Sequence, residues 1–359
     1  MVRENVPLAS LTTLGVGGNA RFFIEARSET DVAEALAFAR ERSLPVFVLG
    51  GGSNIVIADG GFDGLVIAMR IADVAYAEQD GRMLVTAGAG VVWDELVVQT
   101  IERGLIGIEC LSGIPGTVGG AVVANLGAYG AQASDTFVSA DVLVRGDDGD
   151  AVRVFKKEAC DFSYHDSVFG REPGRYLVLR ATFSLATSGT SELSYRDNRF
   201  DLAALAAERG RTPTTSDVRA AILTMRREKG MLSGLHQSAG SFFHMPFVRA
   251  EKYAEIEMLA RSLDVAKEER LRPWAWKQPD GSYKVAGGFL LEYTEFEKGY
   301  RRGKAGISPQ HTLSIINTGN SSARDIAELA RAMQDAVEKL FGVHLEREVE
   351  YVGDVERAK

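Results

Sequence analysis

The spacing of apolar and polar positions changes rhythm along the chain, and each rhythm predicts an element. Residues 21–26 (RFFIEA), 45–49, 55–57 and 64–69 read as strands. Between the first two lies a helix. Ser28 reads as its cap, Asp31 follows three residues on, and Val32, Ala35, Leu36 and Ala39 recur at helical spacing. This β-α-β-turn-β order predicts a compact N-terminal unit. The pattern changes from residue 72. Residues 83–87 read as a strand, and 92–103 as a helix, with Leu96, Gln99 and Thr100 following Trp93 at helical spacing and Gly104 at its end. Residues 138–144, 151–155 and 176–185 read as strands. The polar run 145–150 between the first two reads as a hairpin connection, so this second unit is α+β with antiparallel strands.

Residues 201–208 carry a short helical pattern. A longer helix starts at Thr214 or Thr215, with Val218, Ile222, Leu223 and Met225 on one side. Residues 251–261 and 263–270 are compatible with helix or loop, and 312–317 reads as a strand. Residues 321–340 form the clearest helix: Ile326, Leu329, Ala330, Met333, Val337 and Leu340 make an apolar stripe, Ser322 and Asp325 stand at capping-box spacing, and Gly342 closes it. A strand over 345–352 ends the fold. The expected division is 1–71, 72–205 and 206–353.

Two glycine clusters interrupt these rhythms. Residues 111–130 (LSGIPGTVGGAVVANLGAYG) contain six glycines and no charge. Gly113, Gly116, Gly119 and Gly120 are spaced as if something approaches the backbone closely. Leu49-Gly50-Gly51-Gly52-Ser53-Asn54 forms the second cluster. Two readings stand: tight buried turns in a large core, or a backbone cradle whose peptide N–H groups face a pyrophosphate. No GxxxxGK[ST] is present, and no GxGxxG opens a helix after residues 45–49, so neither common nucleotide signature applies.

Composition narrows the partners. The chain has 359 residues, is 45% hydrophobic and carries a formal net charge of −8. That balance argues against broad nucleic-acid binding and leaves room for a local basic cluster facing a small anion. The run Arg226-Arg227-Glu228-Lys229 reads either as a solvated helix end or as such a cluster, and Arg301-Arg302-Gly303-Lys304 is a second candidate. Cys110 and Cys160 offer no zinc spacing; they read as two buried thiols, with one disulfide as the alternative. No secretory leader or run of 18 apolar residues appears, which leads us to expect a cytoplasmic protein without membrane insertion. Candidate proton handlers are Ser241, His165, His244, His311 and Glu348. Each has a plain structural reading as well: a turn serine, a satisfied histidine, a solvent-facing glutamate.

Eight ordered segments resolve these alternatives: TTLGVGGNA, LGGGSNIVI, GIPGTVGGAVVANLGAYG, SYHDSVF, MRREKG, AGSFF, FEKGYRRG and LEREVEYVG. Together they run nearly end to end and closely resemble the UDP-N-acetylenolpyruvoylglucosamine reductases. The resemblance implies an α+β FAD-binding fold of the vanillyl-alcohol oxidase type, in two subdomains, plus a C-terminal α+β substrate-binding domain. It implies non-covalent FAD, NADPH as hydride donor, a UDP-sugar substrate, a monomer, and a place in peptidoglycan precursor synthesis. The activity implied is reduction of the enolpyruvyl ether of UDP-N-acetylglucosamine enolpyruvate to UDP-N-acetylmuramate. On that resemblance Gly50, Gly51, Gly52, Ser53, Asn54, Ile55, Ser112, Gly113, Ile114, Thr117, Gly119, Gly120, Ala121, Asn125 and Gly127 hold the cofactor. Ser241 matches the serine that protonates the substrate carbon, and Glu348 the glutamate beside the intermediate. Tyr164, Arg226, Lys229 and His244 match substrate positions. Tyr195 matches the tyrosine of a longer subtype, in which an inserted loop closes over the diphosphate.

Two positions depart from the pattern. The resemblance implies an arginine where His165 stands, to grip the enolpyruvyl carboxylate, and an asparagine where Met245 stands. An imidazole cannot supply a guanidinium's permanent two-pronged fork. The alternatives kept open are a paralogous reductase of a related unsaturated sugar nucleotide, a flavin-binding protein without turnover, and an oxidase.

Overall fold

The computed structural model describes residues 1–146, 149–190 and 202–356, and among these the chain is α+β. Its contacts define two units. The first holds Met1–Val6, Ala20–Gly52 and the described residues of Asp63–Glu228. The second holds Pro7–Asn19, Ser53–Phe62 and the described residues from Lys229 onward.

The first unit contains two sheets. One has the order Arg3–Pro7, Asn19–Ala26, Phe62–Met69, Val46–Leu49, the last two strands running parallel with Val46 opposite Leu65. Helix Glu29–Glu41 begins as its sequence predicts: Ser28 Oγ accepts from Asp31 N at 3.1 Å and the Asp31 carboxylate accepts from Ser28 N at 2.9 Å. It buries Val32, Ala35, Leu36 and Ala39. The other sheet is antiparallel throughout, in the order Ala151–Lys156, Phe137–Val144, Tyr176–Ala186, Arg82–Gly88, Val74–Gln79. Its last strand has no signature in the sequence. VAYAEQ lies at the sheet edge and is mostly exposed, so it lacks the apolar alternation that marks a strand. Leu36, Leu65, Ile67, Trp93, Val142, Leu179 and Phe183 belong to one common core.

In the second unit, helix Ala323–Phe341 carries the capping box of Ser322 and Asp325, ends at Gly342 in the left-handed region (φ 62°), and buries Ile326, Leu329, Met333 and Val337. It packs with Phe242, Phe243, Leu290 and Ile315. A four-stranded sheet runs Gln237–Ser238, Ile315–Asn317, Ala305–Ile307, Arg301–Arg302, and a three-stranded one Phe247–Val248, Tyr283–Val285, Ala275–Lys277. Strand Ile55–Ile57 forms where the sequence predicts it, with a partner the sequence does not reveal. It runs parallel to Glu350–Val352, with Ile55 opposite Glu350, and Val56 joins the second core. The strand expected over 345–352 is shorter, at Glu350–Val352, and Phe243 forms an isolated bridge with Arg347 just before it. Among the described residues no helix is long and apolar enough to cross a membrane.

Candidate active site

In the first unit the two glycine clusters meet backbone to backbone. A Cβ at Gly51 would lie 2.6 Å from Gly116 Cα, and one at Gly50 would lie 2.9 Å from Thr117 Oγ1. Side chains at either position would drive the loops apart, which explains the glycines at 50 and 51. Residues 116–119 are sewn to 89–93: Trp93 N donates to Gly116 O, Val118 N to Val91 O and Gly119 N to Ala89 O, at 2.9–3.0 Å. The short helix Val118–Val123 then follows. Its paired glycines hide helical periodicity, so the sequence pattern shows only a cradle there. Gly119 fits tightly against Ala89, whereas Gly120 opens to solvent. Cys110 and Cys160 are free buried thiols, pushed up to about 12 chiefly by burial.

Behind this surface, Gly113 is held from both sides, by Asp94 of helix Trp93–Glu102 and Arg226 of helix Thr215–Glu228. Gly113 N donates to Asp94 Oδ1 at 2.6 Å, and Arg226 Nε donates to Gly113 O at 3.1 Å. Gly113 needs this hold because it sits at φ 72°. Asp94 is itself gripped by the two terminal guanidinium nitrogens of Arg219, at 2.5 and 2.8 Å. Burial raises the Asp94 carboxyl, and the Arg219 and Gly113 donors outweigh it, so the net shift is downward. Arg226 is buried, and its guanidinium is lowered by that burial. It meets the Gly113 carbonyl and the Tyr129 hydroxyl, and Asp94 and Arg219 are neighbours of Gly113 that the sequence did not single out.

Helix Val118–Val123 also anchors the segment that carries His165. Ser163 and Asp166 exchange backbone hydrogen bonds at 3.0 and 3.3 Å, leaving Tyr164 and His165 at the turn's tip. His165 adopts φ 52° and meets the Tyr164 ring edge-on, with centroids 4.4 Å apart. Asn125 Nδ2 donates to Ser163 O at 2.7 Å, its Oδ1 accepts from Ser134 N at 3.1 Å, and Ser167 Oγ donates to Val123 O at 2.6 Å. Ser112 Oγ donates to Glu109 O at 2.6 Å. Asn125 and Ser112 therefore shape the loops through protein partners.

The second unit brings the other candidates together. Glu348 N donates to Phe242 O at 3.0 Å and His244 N to Glu346 O at 2.9 Å, either side of the Phe243–Arg347 bridge. The AGSFF segment bearing Ser241 and the LERE segment bearing Glu348 are thus one paired ribbon. Asn54 joins it: its Nδ2 donates to Glu348 O at 3.1 Å, and its carbonyl accepts from Glu350 N at 3.0 Å. His244 Nδ1 lies 3.7 Å from Glu348 Oε2. Burial pushes the Glu348 carboxyl up to about 7, against the opposing pull of the Lys284 ammonium. Burial likewise lowers Lys284, with Glu348 opposing. Lys284 stands between Phe247 and Trp276 across the three-stranded sheet, its Nζ 5.8 Å from the Phe247 ring centroid. Sequence reasoning missed Lys284, since a single lysine in SYKVAG has no informative spacing. His311 accepts at Nδ1 from Leu313 N at 3.2 Å and so serves a local turn. Lys229 is half-buried in the second unit, and Tyr195 lies outside the described residues.

The cradle suits a dinucleotide. Among the described residues, the peptide N–H groups of Gly51, Gly116 and Gly120 find no protein acceptor, and Thr117 Oγ1 is a buried oxygen without a hydrogen-bond partner. Buried polar atoms rarely stay unpaired, and neutral donors without competing cations match a pyrophosphate. Residues 20–154 match the FAD binding domain family, and residues 233–352 match the C-terminal domain of UDP-N-acetylenolpyruvoylglucosamine reductase. The chain is 38% identical over 357 residues to that reductase from Thermobifida fusca (strain YX), covering 98% of each. It is 37% identical over 356 residues to the Pseudomonas aeruginosa reductase, covering 97% of this chain and 98% of that one. The crystal structure of the Thermus caldophilus reductase aligns with a TM-score of 0.63 at 26% identity, covering 98% of this chain and all of the other. With both domain types in order and end-to-end identity of this size, the chain belongs to the UDP-N-acetylenolpyruvoylglucosamine reductase family.

Proposed function

We propose that the protein is an FAD-dependent, NADPH-driven reductase that converts the enolpyruvyl ether of UDP-N-acetylglucosamine enolpyruvate into UDP-N-acetylmuramate. The observation that carries this reading is the ribbon pairing Ser241's segment with Glu348, whose half-buried carboxyl is pushed up to about 7. FAD held by the segments around Gly50–Ile55 and Ser112–Gly127 supplies the two-electron redox chemistry. The reduction adds a hydride and a proton across the enol-ether double bond. Ser241 donates the proton to carbon. A serine hydroxyl is a weak acid, so this role depends on placement and on the strong basicity of the developing enolate. Glu348, still substantially protonated at neutral pH, donates a hydrogen bond to that charge. On the resemblance, Tyr164, His165, Lys229 and His244 are assigned to the substrate. Arg226 acts through Gly113, whose carbonyl it holds. We assign the chain to the longer subtype on the resemblance around Tyr195.

A paralogous reductase of a related unsaturated sugar nucleotide is the second reading. It is favoured by His165 and Met245, which replace the expected arginine and asparagine. One experiment separates these readings. Purified holoenzyme is incubated anaerobically with NADPH and UDP-N-acetylglucosamine enolpyruvate, and the products are weighed by mass spectrometry. Stoichiometric UDP-N-acetylmuramate supports the first. Flavin that NADPH reduces while the sugar nucleotide stays unchanged at saturating concentration overturns it in favour of the second reading.

A further inference from the structure

We propose that Arg219, acting through Asp94, is a positioning residue for the flavin: the pair fixes the Gly113 peptide and with it the shape of segment 111–116. The proposal rests on the assignment of FAD to the cradle above. Glycines at 113 and 116 leave this segment little side-chain hold on its own backbone, so its shape must be set from outside. Two adjacent residues set it. Trp93 Nε1 donates to Leu111 O at 3.2 Å and Trp93 N to Gly116 O at 3.0 Å, while Asp94 Oδ1 accepts from Gly113 N at 2.6 Å. Trp93 is fully buried and locked by the core. Asp94 lies nearer the surface, and Arg219 is what keeps its carboxylate from turning. The two-pronged grip, with side chains 19% and 31% exposed for Arg219 and Asp94, fixes the carboxylate plane as well as its position.

The plainer role for this pair is to dock helix Thr215–Glu228 on helix Trp93–Glu102. Docking explains an arginine against an aspartate, and the helix dipole explains an acidic residue in the first turn. Neither explains a carboxylate oxygen aimed at a peptide on a third segment. The rest of the helix face points the same way. Arg219, Leu223 and Arg226 lie at the spacing that shares one face. Arg226 Nε donates to Gly113 O at 3.1 Å, and a Cβ at Gly113 would lie 2.6 Å from Leu223 Cδ2. The N–H, C=O and Cα of Gly113 are thus all held, in a left-handed conformation at φ 72°. Gly116, on the same segment, packs against Gly51 of the facing loop, and its N–H finds no acceptor among the described residues. Rotation of the Gly113 peptide would move that donor and the loop contact together.

The test compares the natural chain with Arg219→Gln, Arg219→Lys, Asp94→Ala and the double variant Asp94→Ala/Arg219→Gln. Holoenzyme is diluted and released flavin is read by fluorescence. Visible circular dichroism is recorded at saturating FAD, and urea midpoints are taken on the FAD-free proteins. Arg219→Gln and Asp94→Ala should each loosen FAD at least about tenfold and alter the dichroism of the bound flavin. Arg219→Lys keeps the charge without the fork and should loosen FAD severalfold; it decides the question if Arg219→Gln does not fold. Because Arg219 acts through Asp94, the double variant should stay within about twofold of Asp94→Ala alone. Unchanged affinity and dichroism in Arg219→Gln overturn the proposal, as does an Arg219→Gln effect that persists in full on the Asp94→Ala background. A lowered urea midpoint with unchanged dichroism at saturation also overturns it, since helix docking alone gives that result. A natural chain that binds no FAD overturns the cofactor assignment and this proposal with it, whereas normal binding with unaffected variants overturns the proposal alone.

Discussion

Single atoms give the sharpest expectations. Thr117 Oγ1 is buried without a partner, so Thr117→Val removes a desolvated oxygen at almost no change in shape. The FAD-free protein should be as stable or up to about 1 kcal/mol more stable, whereas FAD affinity should fall several-fold. Thermal melts and flavin titrations check both signs. Ser241→Ala should slow reduction of the enol ether far more than reduction of the flavin by NADPH; equal effects on both half-reactions in stopped-flow traces would remove Ser241 as proton donor. Glu348 makes stability depend on pH. Its folded value of about 7 lies above the ordinary 4.5, so between these limits the folded chain holds a proton that the unfolded chain releases. Stability therefore falls as pH rises through this window, by a total on the order of 3 kcal/mol, and Glu348→Gln should flatten that slope in urea midpoints. The glycines at 50, 51, 113 and 116 were legible in the sequence because their spacing is so unlike a core helix. Lys284, Asp94 and Arg219 were not, because each acquires its meaning from a partner far away in the chain. For Arg226 the sequence showed a basic residue at a helix end and hid its burial against Gly113.

Elements were legible where the local pattern and the tertiary role agree. Ser28 with Asp31, and Ser322 with Asp325, form the reciprocal caps that their spacing predicts. The apolar stripe of Ala323–Phe341 is a core face, so Met333→Ala should cost about 2–5 kcal/mol in chemical denaturation. Strand Ile55–Ile57 was legible as a strand, but its pairing with Glu350–Val352 joins residues nearly a chain length apart and leaves no local trace. Helix Val118–Val123 was hidden by its glycines, and strand Val74–Gln79 by its exposed edge. The cradle itself depends on the contact of two loops. Gly51→Ala would place a methyl 2.6 Å from Gly116 Cα. Backbone must then shift, at a cost of about 1–3 kcal/mol, and the purified variant should carry less bound flavin than the natural chain. Full flavin occupancy at unchanged stability would show that the two loops can separate freely.

Across the full length of the protein, the chain visits its second unit early, through Pro7–Asn19 and Ser53–Phe62, before returning from Lys229 onward. Leu14, Val16, Val56 and Ala58 enter that unit's core. A fragment of residues 229–359 should therefore fail to fold alone, and dispersed amide NMR signals from it would refute this dependence. The residue order only hints at such interleaving, since each returning segment is short. The same interleaving gives Asn54, which follows the glycine turn directly, a place against Glu348 within the second unit. The chemistry this architecture serves is a flavin-dependent reduction of an enolpyruvyl sugar nucleotide. The decisive measurement reduces the holoenzyme with NADPH without oxygen, then mixes it with UDP-N-acetylglucosamine enolpyruvate while flavin absorbance is followed. Rapid, stoichiometric return of the oxidised flavin spectrum is the expected result. A flavin that stays reduced at saturating substrate contradicts it.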